Sequence, residues 1–314
     1  MENFKSITII LLLAVVFLAV SDTTFAENAM RITTEENIIS VHTGDSVLLR
    51  YHYRDVPFKP CVQQLFSPRG VNVLRDAPAD HLHHHALMFA VAVDGVNFWE
   101  EQRSPGRQMH RCFTDTRIDK HNGVPIAGFT EQLDWVNPRN EELLLKECRT
   151  IAVCPMNDFK ATLLDWQSSF AVPSGKESAT LSGSHYFGLG MRFLKSMDTG
   201  GQFRNAEGKS GDVVRGNERL VQARWCAYTA EANGKVVTVA MFGHPDNLRH
   251  PTPWFTMTKP FAYLSATLNL HKEPLAITSD KPLVLRYAVV VWDNRVENER
   301  IEQVYNWWVN PKDL

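Results

Sequence analysis

The strongest constraint on the fold is the recurrence of short apolar or alternating segments along most of the chain. They are rich in Val, Phe, Tyr, Thr and Leu, residues that suit a pleated, half-buried surface, and turn residues separate them. These segments span residues 47–53, 86–93, 143–153, 162–170, 186–193, 221–230, 236–242, 261–270 and 283–292. Their length and spacing are typical of antiparallel β-strands.

Two further signals refine this prediction. Asn233-Gly234 separates two of the strand-like segments and predicts a two-residue β-hairpin turn. Helical periodicity is clearest over residues 298–309, which end shortly before Pro311. No repeat of fixed period and no linker interrupts the pattern. We therefore predict an all-β chain that forms one large antiparallel β-sandwich with a short C-terminal helix.

The first 26 residues have the pattern of a secretory signal peptide. Lys5 precedes a largely apolar segment at residues 7–20, and Thr24-Phe25-Ala26 supplies a cleavage site. That segment is shorter than the roughly 20 apolar residues of a membrane-spanning helix. We predict a periplasmic or secreted protein with one β-sandwich domain at residues 27–314 and no membrane span after signal removal. An uncleaved anchor is the alternative.

Charge and motif content argue against several classes of function. The chain carries 33 basic and 35 acidic residues, so it lacks the positive charge that most nucleic-acid-binding proteins show. It contains no phosphate-binding loop, no dinucleotide-binding fingerprint, no GxSxG and no HExxH. Its five cysteines form no CxxC pair, which argues against a cysteine zinc site. We predict no nucleic-acid partner and no cofactor.

The densest group of reactive side chains is Asp80-His81-Leu82-His83-His84-His85, directly before a strand-like segment. Neutral imidazole can bind a metal ion and can transfer protons near pH 7. On an extended strand, His83 and His85 point to one face and His84 to the other. We predict His83 and His84 as catalytic acid/base residues and Asp80 as a substrate-binding residue. Metal ligation by this cluster, with a further ligand from elsewhere, is the alternative.

A second candidate is the Gly-rich segment at residues 183–192, which reads GSHYFGLGMR. Its glycines allow a ligand or neighbouring backbone to approach closely, and an Arg in an apolar strand needs an anionic or polar partner. We predict His185 as a catalytic residue and Arg192 as a substrate-binding residue. Pairing of Arg192 with a structural carboxylate is the alternative.

A third candidate is the loop HPDNLRHP at residues 244–251, which Trp254 follows closely. Polar side chains beside an indole suit a sugar, because the ring packs against the C–H face and polar groups bond the hydroxyls. We predict one catalytic residue, His244, and the substrate-binding residues Asn247, Arg249, His250 and Trp254. A solvated surface loop is the alternative.

Single residues complete the set of candidates. We predict that Trp99 lines the substrate groove and that His110 contacts the substrate. Glu131, Glu147 and the paired Glu100-Glu101 after Trp99 are further candidates, and Glu147 lies within a strand-like segment, where an inward carboxylate would need a function. An outward-facing side chain is the commoner outcome for such a Glu.

The chain resembles a bacterial family of exported proteins called methane oxygenase PmoA-like, over roughly residues 50–295. The matching segments are residues 65–70, Arg75-Asp76, Asp80-His81-x-His83-His84, Gly183-x-His185-Tyr186-x-Gly188-Leu189 and residues 244–251. The resemblance implies a supersandwich similar to galactose mutarotase, a scaffold that epimerases, lyases and glycosidases share. In mutarotase-like sites a His protonates the ring oxygen and a carboxylate takes the anomeric proton. Glu131 and Glu147 are candidates for that carboxylate.

These observations predict an exported carbohydrate-active protein that acts on, or binds, a small-molecule or oligosaccharide substrate in a His-rich groove. Its chemistry would be the acid/base chemistry of an epimerase, a lyase or a glycosidase. Two alternatives stay open. One is a metal-dependent oxygenase or hydrolase that uses the histidines at residues 81–85, and the other is a non-catalytic sugar-binding envelope protein.

Overall fold

A computed structural model describes residues 29–121 and 123–310, which form 22 β-strands, one α-helix and two short 3₁₀-helices. The predicted signal peptide at residues 1–26 lies outside the described residues. Within the described ranges, no helix is both long enough and apolar enough to cross a membrane.

The elements follow one another along the chain with the bounds given next. The first eleven strands are β1 (Met30–Thr34), β2 (Ile38–Thr43), β3 (Ser46–His52), β4 (Cys61–Leu65), β5 (Leu87–Ala90), β6 (Ala92–Val93), β7 (Val96–Asn97), β8 (Arg107–His121), β9 (Val124–Asn137), β10 (Glu142–Met156) and β11 (Ala161–Ala171). The other elements are β12 (Ser178–Ser182), β13 (Gly188–Arg192), β14 (Gln202–Asn205), β15 (Asp212–Arg215), β16 (Glu218–Gln222), β17 (Trp225–Ala232), β18 (Lys235–Gly243), β19 (Pro253–Met257), β20 (Tyr263–Thr267), β21 (Leu275–Thr278), β22 (Leu283–Asp293) and α1 (Asn298–Val309). The 3₁₀-helices are Asn157–Phe159 and Lys195–Met197.

Three antiparallel sheets make up the fold. The largest has ten strands in the order β1-β2-β3-β4-β5-β13-β20-β19-β16-β15, and the second has eight in the order β14-β17-β18-β22-β11-β10-β9-β8. A small sheet has the order β21-β12-β6-β7. Apolar side chains from both large sheets form one contiguous core, which makes the fold a β-sandwich.

The eight-stranded sheet is apolar on both faces. Along β18, Val239 and Met241 belong to the core between the large sheets, whereas Ala240 and Phe242 pack with the side chains of α1. β22 follows the same alternation. The period of two along a strand therefore gives each face its own apolar layer, and α1 covers the outer one.

The structure confirms the all-β class, the hairpin and the C-terminal helix. Asn233 and Gly234 both have positive φ, 49° and 82°, as a type I′ turn requires, and Ala232 pairs with Lys235 across it. The helix has the predicted bounds.

Two expectations about strands were wrong. The histidine segment is a turn, because the His84 amide donates to the His81 carbonyl at 3.0 Å and Ala86 has a φ of 47° before β5 begins. The predicted alternation of His83 and His85 along a strand is therefore incorrect. The long strand β8 was missed because most of its side chains are polar and exposed at a sheet edge, and its neighbour β9 was missed as well.

Candidate functional site

A cavity of about 490 Å³ opens on the ten-stranded sheet, and we call it the histidine cavity. Its walls combine imidazoles, aromatic rings, two carboxylates and two basic side chains. The lining side chains that bear on its chemistry are His81, His83, His84, Trp99, Glu100, Tyr186, Arg215, Glu218, Phe255, Lys259, Phe261 and Tyr263.

Strand register brings separate parts of the chain to this cavity. Tyr263 on β20 lies opposite Arg192 on β13, and Phe255 on β19 lies opposite Ser265, so these side chains share one face of the sheet. Gly190 belongs to the same face. A Cβ atom there would overlap with the Tyr263 hydroxyl and the Trp99 ring. This glycine therefore makes room for two of the cavity's aromatic side chains, as the sequence predicted for a glycine in this segment.

Three histidines of the turn lie against one another. The ring centroids of His83 and His84 are 4.5 Å apart, and those of His81 and His84 are 4.8 Å apart. Burial, reinforced by neighbouring basic groups, lowers the pKa of His84 to about 2 and that of His83 to about 4. Both rings are therefore neutral at pH 7, and each can donate one hydrogen bond and accept another.

Three polar atoms of the cavity walls are buried without a hydrogen-bond partner among the described residues. They are Nδ1 of His84, Nε1 of Trp99 and the hydroxyl of Tyr263. An unsatisfied buried polar group costs about 1–3 kcal/mol, so such groups are few in folded proteins. Three of them around one cavity indicate a place where ligand hydroxyls or water complete the hydrogen bonding.

A His–Glu pair forms part of the cavity wall. Glu218, the first residue of β16, lines the cavity, and its Oε2 lies 3.2 Å from Nε2 of His185. Nη2 of Arg215 donates to the other carboxylate oxygen at 2.6 Å. The predicted catalytic His185 thus lies behind a carboxylate that the sequence analysis did not single out. No local signal marks Glu218, because its partner is 33 residues away.

A second carboxylate, Glu100, lines the same cavity and accepts a hydrogen bond from the Tyr186 hydroxyl at 3.3 Å. Burial and this neighbouring carboxylate raise the pKa of Tyr186. Trp99, which precedes Glu100, stacks on Phe187 with centroids 5.2 Å apart. The predicted groove residue Trp99 therefore does line the cavity, and its neighbour adds a second acid/base group.

Beneath the histidine turn lies a row of buried charges. Nζ of Lys59 is 2.5 Å from Oε1 of Glu101, and the same oxygen is 2.8 Å from Nε2 of His85. Nδ1 of His85 is 2.9 Å from Asp76. Burial lowers the pKa of His85, but its hydrogen bonds to Asp76 and Glu101 outweigh burial and raise it. His85 thus bridges two carboxylates below the cavity, and both favour its protonated form.

Only one group of three potential metal ligands in the described parts of the chain has its ligand atoms within 4.8 Å of one another: Cys61, Asp76 and His85. Carboxylates already occupy both nitrogens of His85, and Lys59 brings a positive charge alongside. Burial also raises the pKa of the Cys61 thiol well above its ordinary value. This group does not suit a cation. The histidines of the turn do not form such a group.

Arg192 has the carboxylate partners that an Arg in an apolar strand needs. Its Nη2 lies 3.1 Å from Asp80 and 3.7 Å from Asp198, and its guanidinium stacks on Phe261 at 3.4 Å from the ring centroid. Asp80 is therefore a partner of Arg192 as well as a neighbour of His81. Both predicted substrate-binding residues lie close behind the cavity wall.

The structure does not bring the 244–251 loop or Trp254 to the histidine cavity. Both ends of the Asn247 amide bond the backbone of Arg286 at 2.7 Å, and Arg249 donates to the Leu268 and Glu273 carbonyls. The remaining predicted residues of this group are His244, whose ring lies 5.4 Å from Trp308, and His250, which precedes a cis proline. Most of this loop's polar groups thus bond the protein itself.

Trp254 and His110 also lie away from the histidine cavity. Trp254 is fully buried on the opposite face of its sheet, and its Nε1 donates to the Ala223 carbonyl at 2.8 Å. His110 lines a smaller cavity of about 280 Å³, with Nδ1 2.6 Å from Glu131. Strand parity explains the first placement, because Trp254 shares a face with the core residue Ala266.

Glu131 and Glu147 are buried in the sandwich core region and do not line the histidine cavity. Glu147 faces inward, contrary to the commoner outcome, and both its oxygens accept hydrogen bonds from Arg149 at 2.8 Å. Arg149 lies opposite Glu131 in the β9–β10 register. The carboxylates of the cavity are Glu100 and Glu218 instead.

Fold and site together define an all-β sandwich protein with an aromatic, ionisable cavity on its larger sheet. Residues 39–306 match the sequence profile of a family of unknown function (DUF6807), and the chain belongs to this family. The methane oxygenase name is not part of that match, so it stays a prediction. Among curated proteins, no significant sequence match is found.

Solved structures show a distant likeness. The galactosidase domain of an α-galactosidase–sucrose kinase is 9% identical, with a TM-score of 0.47 over 84% of this chain and 42% of that chain. An α-galactosidase from Geobacillus stearothermophilus is 10% identical, with a TM-score of 0.46 over 84% and 41%. A galactose mutarotase-like protein from Clostridium acetobutylicum is 8% identical, with a TM-score of 0.42 over 85% and 99%. This chain thus spans less than half of either galactosidase structure, and values this low carry no conclusion about activity.

Proposed function

We propose that the histidine cavity binds a sugar and that Glu218 exchanges protons with the bound sugar. The observation that carries this proposal is the set of unpartnered buried atoms on His84, Trp99 and Tyr263 around a single open volume. A sugar presents many hydroxyls, which can donate and accept, and apolar C–H faces, which pack on aromatic rings.

The size and walls of the cavity support a small polar ligand. Its volume of about 490 Å³ lies within the roughly 300–1,000 Å³ usual for small-molecule sites. Tyr186, Phe255, Phe261 and Tyr263 supply ring surface, while the neutral His83 and His84 supply hydrogen-bond donors and acceptors. This combination favours a polyhydroxylated ring over a purely apolar ligand.

The roles of the histidines differ from those we expected from the sequence. A ring with a pKa of about 2, as His84 has, is not protonated near pH 7 and does not act as a general acid there. We assign His83 and His84 to hydrogen bonding with the sugar. His185 orients Glu218, in the way that a second group orients a catalytic base.

Two carboxylates on one cavity support acid/base chemistry at a sugar. Glu218 is held by His185 and Arg215, and Glu100 is held by Tyr186. Paired carboxylates serve the proton transfers of epimerases, lyases and glycosidases. We propose a reaction of this group, with Glu218 as proton acceptor and Glu100 as the second acid/base residue.

We also propose that the protein is exported, to the periplasm or beyond. The support is the signal-like pattern of residues 1–26. Intact-mass measurement of the protein recovered from an expressing bacterium tests this. A chain that begins at Glu27 supports export, and a full-length chain that stays in the cytoplasm contradicts it.

A panel of monosaccharides and oligosaccharides tests the proposed function. We expect at least one sugar to raise the melting temperature of the protein and to be converted to a product. Glu218→Gln should abolish conversion while the exposed control Glu231→Gln should not. Binding without conversion by the wild type would favour the non-catalytic alternative. No melting shift with any sugar would contradict the proposal.

A further inference from the structure

The histidine cavity carries carboxylates at one end and basic groups at the other. From His84 the wall continues through the rings of Tyr263 and Phe255, with centroid separations of 4.8 and 6.4 Å, to His185 beside Glu218. The carboxylate end is partly neutralised by Arg215. The other end has no carboxylate in its lining, although Arg192 and its partners lie directly behind it.

Arg192 has unused hydrogen-bonding capacity at this basic end. Arg192 is only 1% exposed, yet its Nε and Nη1 have no partner among the described residues. Its Nη2 alone lies within hydrogen-bond distance of a carboxylate, that of Asp80. A guanidinium has five N–H donors, and leaving them unpaired in a buried place is costly. The unpartnered Nε and Nη1 of Arg192 can therefore donate hydrogen bonds to an anionic oxygen at a gain in free energy.

The surroundings of His84 favour an anion at the same place. Its unpartnered Nδ1 is buried, and the charged groups that act on it, Arg192 and Lys59, are basic. Burial is the main cause of the lowered pKa of His84, and these basic groups add to it because a further positive charge beside them is disfavoured. A negative group that enters beside the Phe261 ring, which lies against both His84 and Arg192, would meet the unpartnered polar atoms of both side chains.

We propose that the sugar bound in this cavity carries a carboxylate, as in a uronic acid, and that this carboxylate binds between Arg192 and His84. This inference rests on the proposed function, since it names the class of sugar. It places the uncharged part of the sugar over Tyr263 and Phe255. The reacting carbon then lies toward Glu218, at the far end of the cavity.

Matched sugar pairs test this inference. Binding of D-galacturonate and D-glucuronate is compared with that of D-galactose and D-glucose by calorimetry, with acetate and glucose 6-phosphate as further probes. We expect a uronate to bind at least about tenfold more tightly than its neutral partner, because a charge-assisted hydrogen bond replaces a neutral one. Acetate alone should bind weakly, since it lacks the ring that packs on the aromatic wall.

Two variants locate the carboxylate. Arg192→Gln should reduce the preference for the uronate to about twofold or less, whereas Lys235→Gln, which removes an exposed basic group outside the cavity, should keep it. If Arg192→Gln does not fold, Arg192→Lys should weaken the preference and keep the fold.

The outcomes separate this inference from the proposed function. Equal binding of neutral and acidic sugars, a stronger response to glucose 6-phosphate, or an undiminished preference in Arg192→Gln would overturn the inference and leave the sugar site in place. Failure of every sugar to bind would overturn the proposed function itself.

Discussion

Two buried arginines show how two clusters of similar composition differ. Every nitrogen of Arg149 has a partner: Nε and Nη2 bond Glu147, Nη1 bonds the Tyr51 hydroxyl, and Nη2 also bonds Gln108. Arg192 bonds Asp80 through Nη2 alone. Both side chains are almost completely buried.

The difference between the two clusters teaches that burial by itself does not identify a functional site. The network around Arg149 is closed, because every nitrogen of the guanidinium is paired inside the sandwich, although its outer members Gln108 and His110 line the smaller cavity. The side chains of the histidine cavity surround a larger open volume, and several of their polar atoms are unpaired. Complete pairing indicates a role in structure, whereas incomplete pairing beside a cavity indicates binding.

The largest expected effect is on stability, from breaking the closed network. Arg149→Met should lower the free energy of unfolding by about 3–5 kcal/mol, because it leaves Glu147 buried without its cation. Arg192→Met should cost clearly less, since Arg192 gives up one hydrogen bond and its carboxylate partners reach solvent. Urea denaturation of both variants measures this, and equal losses would contradict the comparison.

A second expected effect is on catalysis. Glu218→Gln should lower turnover of the sugar by about 100-fold or more, with a loss of unfolding free energy of about 1 kcal/mol or less, because its ion-pair partner Arg215 is exposed. Glu147→Gln is the matched change in the closed network, and it should show mainly a loss of stability. Steady-state kinetics and urea denaturation of the two variants provide the test. A reversal of the two patterns would exclude the histidine cavity as the active site.

Two tyrosine hydroxyls allow a finer comparison. Tyr51→Phe removes a hydroxyl that bonds Glu131 and Arg149, and it should destabilise the protein by about 1–3 kcal/mol. Tyr263→Phe removes a buried hydroxyl without a partner, so stability should stay unchanged or rise slightly while sugar affinity falls. Thermal melting with and without the sugar distinguishes the two. A large destabilisation by Tyr263→Phe would show that its hydroxyl is paired.

The smallest expected effect is the pH dependence that His85 adds. Its pKa in the folded protein is raised above the ordinary 6.5 by Asp76 and Glu101, so the unfolded chain loses this proton first as the pH rises. The stabilisation from His85 is therefore complete below about pH 6.5 and disappears as the pH rises through the folded-state pKa. Urea denaturation between about pH 6 and about pH 9 should show this decrease in the free energy of unfolding of the wild type. His85→Gln should show a flatter pH profile. If His85→Gln had the same pH profile of stability as the wild type, the assignment of this pH dependence to His85 would be contradicted.

Much of the fold could be predicted because its signals are local. The Asn233-Gly234 turn and the helix at residues 298–309 each depend on neighbours in the sequence, and both were located correctly. The strand β8 was missed because a mostly exposed edge strand has no apolar alternation to reveal it. The histidine segment was misassigned as extended, since a turn stabilised by backbone bonds leaves little trace in composition.

The candidate site could be predicted only in part. His83, His84, Trp99 and Glu100 were singled out and do line the cavity, whereas Glu218 acquires its role from His185, a partner far along the chain. Trp254 suited a sugar site by its neighbours in the sequence, but the parity of β19 turns it into the core.

The sequence by itself determined the class of fold, the Asn233-Gly234 hairpin turn and the helix, because backbone preference and side-chain alternation act over a few residues. Only the tertiary structure decided which charged side chains are paired and which are left open. That decision depends on the strand order β5-β13-β20-β19-β16, which brings distant segments together, and on the close packing that admits or excludes a partner for each polar atom.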